Sequence, residues 1–112
     1  MSPDEATLLD ILNAARKAVE FCAGLDRAAF AGDPKTYFAV LHQFTIIGEA
    51  AKRLPDAFRS AHPEVPWKQM AGMRDVLVHR YDDVILEEVW KAVAEELPGL
   101  MEAVERLLPP RE

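Results

Sequence analysis

Residues 35–54, KTYFAVLHQFTIIGEAAKRL, set the architecture of this chain. Drawn as a helix, the segment is apolar on nearly every side, as the central helix of a bundle must be if other helices surround it. Asp33-Pro34 just before it combines an N-cap residue with a proline suited to the first helical turn, and Pro55 closes it. The same start signal opens the chain, where Ser2-Pro3-Asp4-Glu5 reads as a cap, a first-turn proline and a capping-box glutamate. Leu8, Ile11/Leu12, Ala15, Val19 and Cys22 then repeat at helical spacing until Gly24.

On the C-terminal side, Asp56–His62 has room for a short turn of helix, and Pro63 and Pro66 bracket a brief linker. Pro66-Trp67 opens a third long helix that runs to about His79 or Arg80. Tyr81-Asp82-Asp83 is a polar break, with Asp83 placed to cap a helix that begins near Ile85. Pro98 falls inside that last pattern and predicts a kink or a restart, because an interior proline costs about 3 kcal/mol. Strand signals are almost absent: β-branched residues cluster only at Thr45–Ile47 and Val76–Val78, and no segment alternates cleanly. The expected fold is all-α, an antiparallel up-down bundle of four to five helices, with residues 1–112 forming one domain.

Half of the 112 residues are apolar, which excludes a disordered chain, and no apolar run approaches the roughly 20 residues of a membrane-spanning helix. The N-terminus carries two acids before its first apolar pair, unlike a secretory signal. The lone cysteine, Cys22, allows no internal disulfide and sits among apolar neighbours as a core residue. A cytoplasmic protein is expected. The net charge of −6 is unevenly spread. Residues 52–80 hold six Lys and Arg against three Asp and Glu, whereas both flanking segments are acidic. This is either a set of uneven solvated faces or the local positive charge that phosphate binding needs.

Within that basic third, Trp67, Met70, Met73/Arg74, Leu77 and Tyr81 share one helix face at spacings of three and four. Arg74 therefore lies within or beside an apolar stripe, where a guanidinium needs acceptors. It either pairs with a carboxylate such as Glu49, itself unusual in the apolar run Phe44–Ala51, or binds an anion. His79 follows five residues later, about 140° around an ideal helix, so the two side chains do not share a face. They can converge on one ligand if the helix ends near His79, or if a second subunit faces the first. Histidine suits proton transfer near neutral pH, and an arginine beside it suits phosphate charge. Tyr81 at the helix end is a packing anchor or a hydroxyl open to RNA or to modification. His42 is expected in the core and His62 in a loop. No group of residues has metal-ligand spacing, and no cofactor is called for.

Arg74-x4-His79-x-Tyr81 resembles the R-x4-H-x-Y signature of HepT-like toxins in the HEPN superfamily. The likeness covers nearly the whole chain and is densest over residues 44–90, including Ile47-Gly48-Glu49-Ala50-Ala51, Pro66-Trp67 and the last helix through Trp90. The resemblance implies a HEPN-like helical bundle that forms a homodimer, with two R-x4-H motifs facing each other across the interface. It implies a metal-independent RNA endonuclease that leaves a 2′,3′-cyclic phosphate and a 5′-hydroxyl. Carried over, His79 is the general acid/base, Arg74 neutralises the phosphorane charge, and Asp75 and Glu49 support them. Arg53, Lys68 and Arg80 are the candidates for holding RNA. The resemblance further implies a toxin–antitoxin pair, in which an MntA-type nucleotidyltransferase antitoxin adds AMP to Tyr81 and blocks the site. The alternative is a non-catalytic HEPN-like module that docks such a nucleotidyltransferase or binds nucleotide.

Overall fold

The structure is a computed structural model that describes residues 1–80 and 84–110. Helix α1 spans Pro3–Phe21, and the Ser2 side chain accepts from the Glu5 N–H at 3.1 Å, as the capping motif requires. Leu8, Ile11, Leu12, Ala15 and Ala18 form its buried stripe. Burying each large apolar side chain of this kind contributes ~1.5–3 kcal/mol. The chain turns at Gly24, whose φ of 79° lies in the left-handed region open to glycine, and the Leu25 N–H closes on the Cys22 carbonyl at 3.0 Å. Cys22 is buried, and that burial, with Asp33 adding to it, raises its thiol pKa.

Helix α2 is short, Arg27–Ala31, and is capped by the Asp26 carboxylate on the Ala29 N–H at 2.8 Å. Five residues are too few to show a periodic pattern, so no sequence signal announces it. It carries Phe30, which is fully buried with its ring centroid 5.2 Å from that of Trp90 and 5.8 Å from that of Tyr37. Helix α3, Pro34–Arg53, starts where Asp33-Pro34 predicts. The Asp33 carboxylate accepts from the Thr36 hydroxyl at 2.6 Å and from the Thr36 N–H at 3.1 Å, bonds that lower its pKa.

Helix α3 corrects one expectation. It is not buried on every side: Val40, Leu41, Phe44, Ile47, Gly48, Ala50 and Ala51 face the core, but Phe38 is 52% exposed. His42, expected in the core, is exposed, and its neighbour Gln43 is the buried polar residue. One step of 100° separates the two, enough to turn one side chain out of the apolar face and the next into it.

Helix α4, Asp56–Ala61, fills the expected short turn, and helix α5 runs over Trp67–His79. The indole N–H of Trp67 donates to the His62 carbonyl at 2.9 Å and so fastens the start of α5 to the end of α4. His62 lies in that connection as expected, its ring centroid 4.7 Å from that of Phe58 and its Nδ1 3.5 Å from Glu64. Helix α6, Leu86–Lys91, passes through a π turn at Ala92–Glu96 into α7, Leu97–Leu107. Pro98 sits at the start of α7 directly after the π turn, and this local change of helix type stands where the proline predicts a kink or restart. The expected cap Asp83 and the motif residue Tyr81 lie outside the described residues.

The described residues form an all-α bundle of four long helical segments, α1, α3, α5 and the α6–α7 rod, with two short helices between them. Helix α1 packs against α3 and α7, and α3 also packs against α5. Arg53 at the end of α3 reaches Asp10 of α1 at 3.1 Å, and Arg16 of α1 reaches Glu105 of α7 at 3.1 Å. The bundle measures 40 × 34 × 19 Å, about two helix diameters thick. Among the described residues no helix is long and apolar enough to cross a membrane.

Candidate active site

The motif is positioned by a close approach between α3 and α5 at Gly48. A Cβ on Gly48 would stand 2.1 Å from the Arg74 Cβ and 2.7 Å from the Met70 carbonyl oxygen. Ala50 and Ala51 beside it are fully buried. Small side chains here let the two helix backbones come together, and Arg74 is thereby laid directly against α3.

Arg74 is mostly buried, and its contacts bear on both roles the sequence left open. Its Nη2 lies 3.6 Å from Glu49 Oε1, close enough for an ion pair but too long for a hydrogen bond. Its Nη1 donates to Asp75 Oδ1 at 3.3 Å, and its Nε is buried without a hydrogen-bond partner. The expected pairing with Glu49 exists, yet it engages little of the guanidinium's donor capacity of five N–H groups.

Asp75 accepts a second bond on the same oxygen, from Lys52 of α3. The Lys52 ammonium, followed by the Arg74 guanidinium, lowers the carboxyl pKa of Asp75 below its ordinary 3.8. A lowered pKa stabilises the fold fully above the unfolded value, and that contribution is lost as pH falls through the folded value. Stability is therefore expected to decline below about pH 4, and Asp75→Asn should flatten that acid limb in unfolding measured across pH 2–6. An unchanged limb would show that the carboxylate is not held by its neighbours.

His79 is the last residue of α5 and is exposed, next to Val78, which is 46% exposed. Helix α5 continues through His79 before Arg80 ends it, so the 140° separation from Arg74 stands within one chain. The structure thus brings Arg74, Asp75 and Glu49 together with Lys52, and sets His79 on another side of the same helix. Lys52 was not singled out by the sequence; its one local signal is its place three residues after Glu49, on the same helix face.

The basic third is largely neutralised in place. Lys52 pairs with Asp75, Arg53 with Asp10, Arg59 with Asp56, and Arg74 with Glu49 and Asp75. Of the residues expected to hold RNA, Arg53 is thus engaged by Asp10, Lys68 is exposed in the first turn of α5, and Arg80 is exposed at its end. Among the described residues no three His, Cys, Asp or Glu side chains are grouped to hold a metal ion.

The chain matches the model of the family described as "Ribonuclease HepT-like" over residues 11–107, from the middle of α1 to the end of α7. The chain belongs to the HepT-like ribonuclease family. Its relatives include "Probable ribonuclease HepT" of Thermococcus cleftensis, 43% identical over 100 residues, covering 89% of this chain and 91% of that protein. "Putative RNase MJ1380" of Methanocaldococcus jannaschii is 37% identical over 101 residues, 90% of this chain and 93% of that protein. "Putative RNase TTE0752" of Caldanaerobacter subterraneus subsp. tengcongensis is 39% identical over 98 residues, 88% of each chain. No solved structure matches. The α3–α5 contact lies wholly within the matched HepT-like region.

Proposed function

We propose that this HepT-like chain is a metal-independent RNA endonuclease, the toxin of a type II toxin–antitoxin pair, acting through a site made by two copies of the chain. The observation that carries this reading is the placement of Arg74 and His79 on one unbroken helix about 140° apart. Within one helix the two groups point to different sides, whereas two chains related by a two-fold axis can present both groups to one phosphate.

In that site the RNA supplies its own nucleophile, so the chemistry calls for no metal. The 2′-oxygen bonds to the adjacent phosphorus while the bond to the 5′-oxygen breaks, giving a 2′,3′-cyclic phosphate and a 5′-hydroxyl. His79 handles the proton that leaves the 2′-hydroxyl and the proton that the 5′-oxygen gains. Arg74 balances the extra negative charge of the phosphorane, with donors that its contacts to Glu49 and Asp75 leave available. Asp75 and Glu49 hold the guanidinium in place, and Lys68 and Arg80 attract the RNA backbone.

Tyr81 follows His79 by two residues and is the proposed point of control. AMP added to its hydroxyl by an MntA-type nucleotidyltransferase antitoxin would bring bulk and negative charge beside the histidine and exclude the RNA phosphate. Incubation with that enzyme and ATP is expected to raise the mass of the chain in AMP units. Tyr81→Phe should abolish the gain, and a gain that persists would reassign the modified residue.

A second reading is favoured by the charge: the net −6 and the acid partners of the basic third fit a HEPN-like module that docks a nucleotidyltransferase or binds nucleotide without cleaving RNA. Expression of the chain alone separates the two. A toxin slows growth and His79→Ala relieves it; a docking module does neither.

A further inference from the structure

Asp75 Oδ1 is shared by two cations from different helices, Lys52 Nζ of α3 and Arg74 Nη1 of α5. The two contacts are unequal. Arg74 stands at 3.3 Å, near the outer limit of a hydrogen bond, while the lysine holds the oxygen closely and is the leading cause of its lowered pKa. An arginine–aspartate pair is strongest when two N–H groups on one guanidinium edge meet both carboxylate oxygens. Here only one prong forms, Glu49 stays at 3.6 Å, and the Arg74 Nε has no acceptor. Arg74 is placed but not saturated.

We propose that Lys52 is a positioning residue of the phosphate site: by holding Asp75 it keeps that carboxylate from closing on Arg74, and so leaves guanidinium donors free for a phosphate of the RNA. The inference rests on Arg74 being the phosphate-binding group. The fold supports the arrangement, because Glu49 and Lys52 are three residues apart on α3 and face the adjacent pair Arg74 and Asp75 of α5. The close approach at Gly48 brings these four charges within reach of one another. Losing the lysine would free Asp75 to turn fully to Arg74, and phosphate would then compete with a complete ion pair.

The test is the affinity of the full-length protein for a 2′-O-methyl RNA, which binds but lacks the attacking hydroxyl, alongside kcat and KM on cleavable RNA. Lys52→Met is expected to weaken binding and raise KM by about tenfold, with kcat changed less than about twofold. Lys52→Arg, which preserves the contact with Asp75, should restore binding. In an Asp75→Asn background the lysine should cease to matter, since no carboxylate remains to be held away. A tenfold loss that persists in that background would overturn the proposal and make Lys52 a direct phosphate contact. A Lys52→Met protein that binds as the wild type does would overturn it outright. Lys52→Gln serves as a second neutral variant should the methionine impair folding. Arg74→Ala checks the underlying reading separately: if that variant still binds and cleaves RNA, the assignment of Arg74 fails, whatever the lysine does.

Discussion

His79→Ala is expected to lower RNA cleavage by about 10²–10⁴-fold while leaving the fold intact. The magnitude is that of a positioned proton-transfer group, and the histidine is assigned both proton transfers in the proposed cyclisation. The fold should survive because His79 is exposed in the last turn of α5, where a change to alanine alters stability by no more than about 0.5 kcal/mol. Cleavage of a defined RNA in buffer containing EDTA, with the product ends identified, tests three claims together. Cyclic phosphate ends, persistence without metal and loss in the variant are the expected results. Undiminished cleavage by His79→Ala would remove the histidine from the mechanism. Linear phosphate ends would remove attack by the 2′-hydroxyl.

Gly48→Ala should be the most crowded of the glycine-to-alanine changes in the described structure. The added carbon would lie 2.1 Å from the Arg74 Cβ and 2.7 Å from the Met70 carbonyl, and both obstacles belong to or adjoin the α5 backbone. No side-chain rotation relieves that overlap, so α5 must move away from α3. Overpacking of this kind costs about 3 kcal/mol. For a domain of this size, that corresponds to a fall of roughly 15 °C in Tm. The displacement would also draw Arg74 from Glu49 and separate Asp75 from Lys52, so the surviving folded protein should cleave RNA poorly. Gly72→Ala is the control, since a Cβ there meets nothing within 4 Å. Thermal unfolding of the pair decides the point: equal Tm values would mean that the α3–α5 approach is looser than described.

The two variants also separate what was legible in the sequence. The motif spacing was visible at once, and its 140° misfit was a property of five residues on a helix, independent of any packing. The importance of Gly48 was only half visible. It stood in the segment Ile47-Gly48-Glu49-Ala50-Ala51 that carried the family resemblance, but nothing in the segment says which side chain it must admit. Lys52 was not visible, because its significance lies in a contact with a residue 23 positions away.

The sequence by itself determined the helices and where most of them begin. Ser2, Asp33 and Pro98 act on backbone groups within a turn of themselves, and an apolar stripe is a matter of spacing along one element. It also determined the family and the candidate residues Arg74, His79 and Tyr81. The tertiary structure decided which face of α3 is buried, turning His42 out and Gln43 in, and seated Phe30 of a helix too short to announce itself between Tyr37 and Trp90. It alone decided that Arg74 meets Glu49 and Asp75, and that Lys52 holds Asp75 from the other helix. The physical reason is range: caps and periodicities are settled within a few residues, whereas the register between two helices is set by the whole interface that packs them.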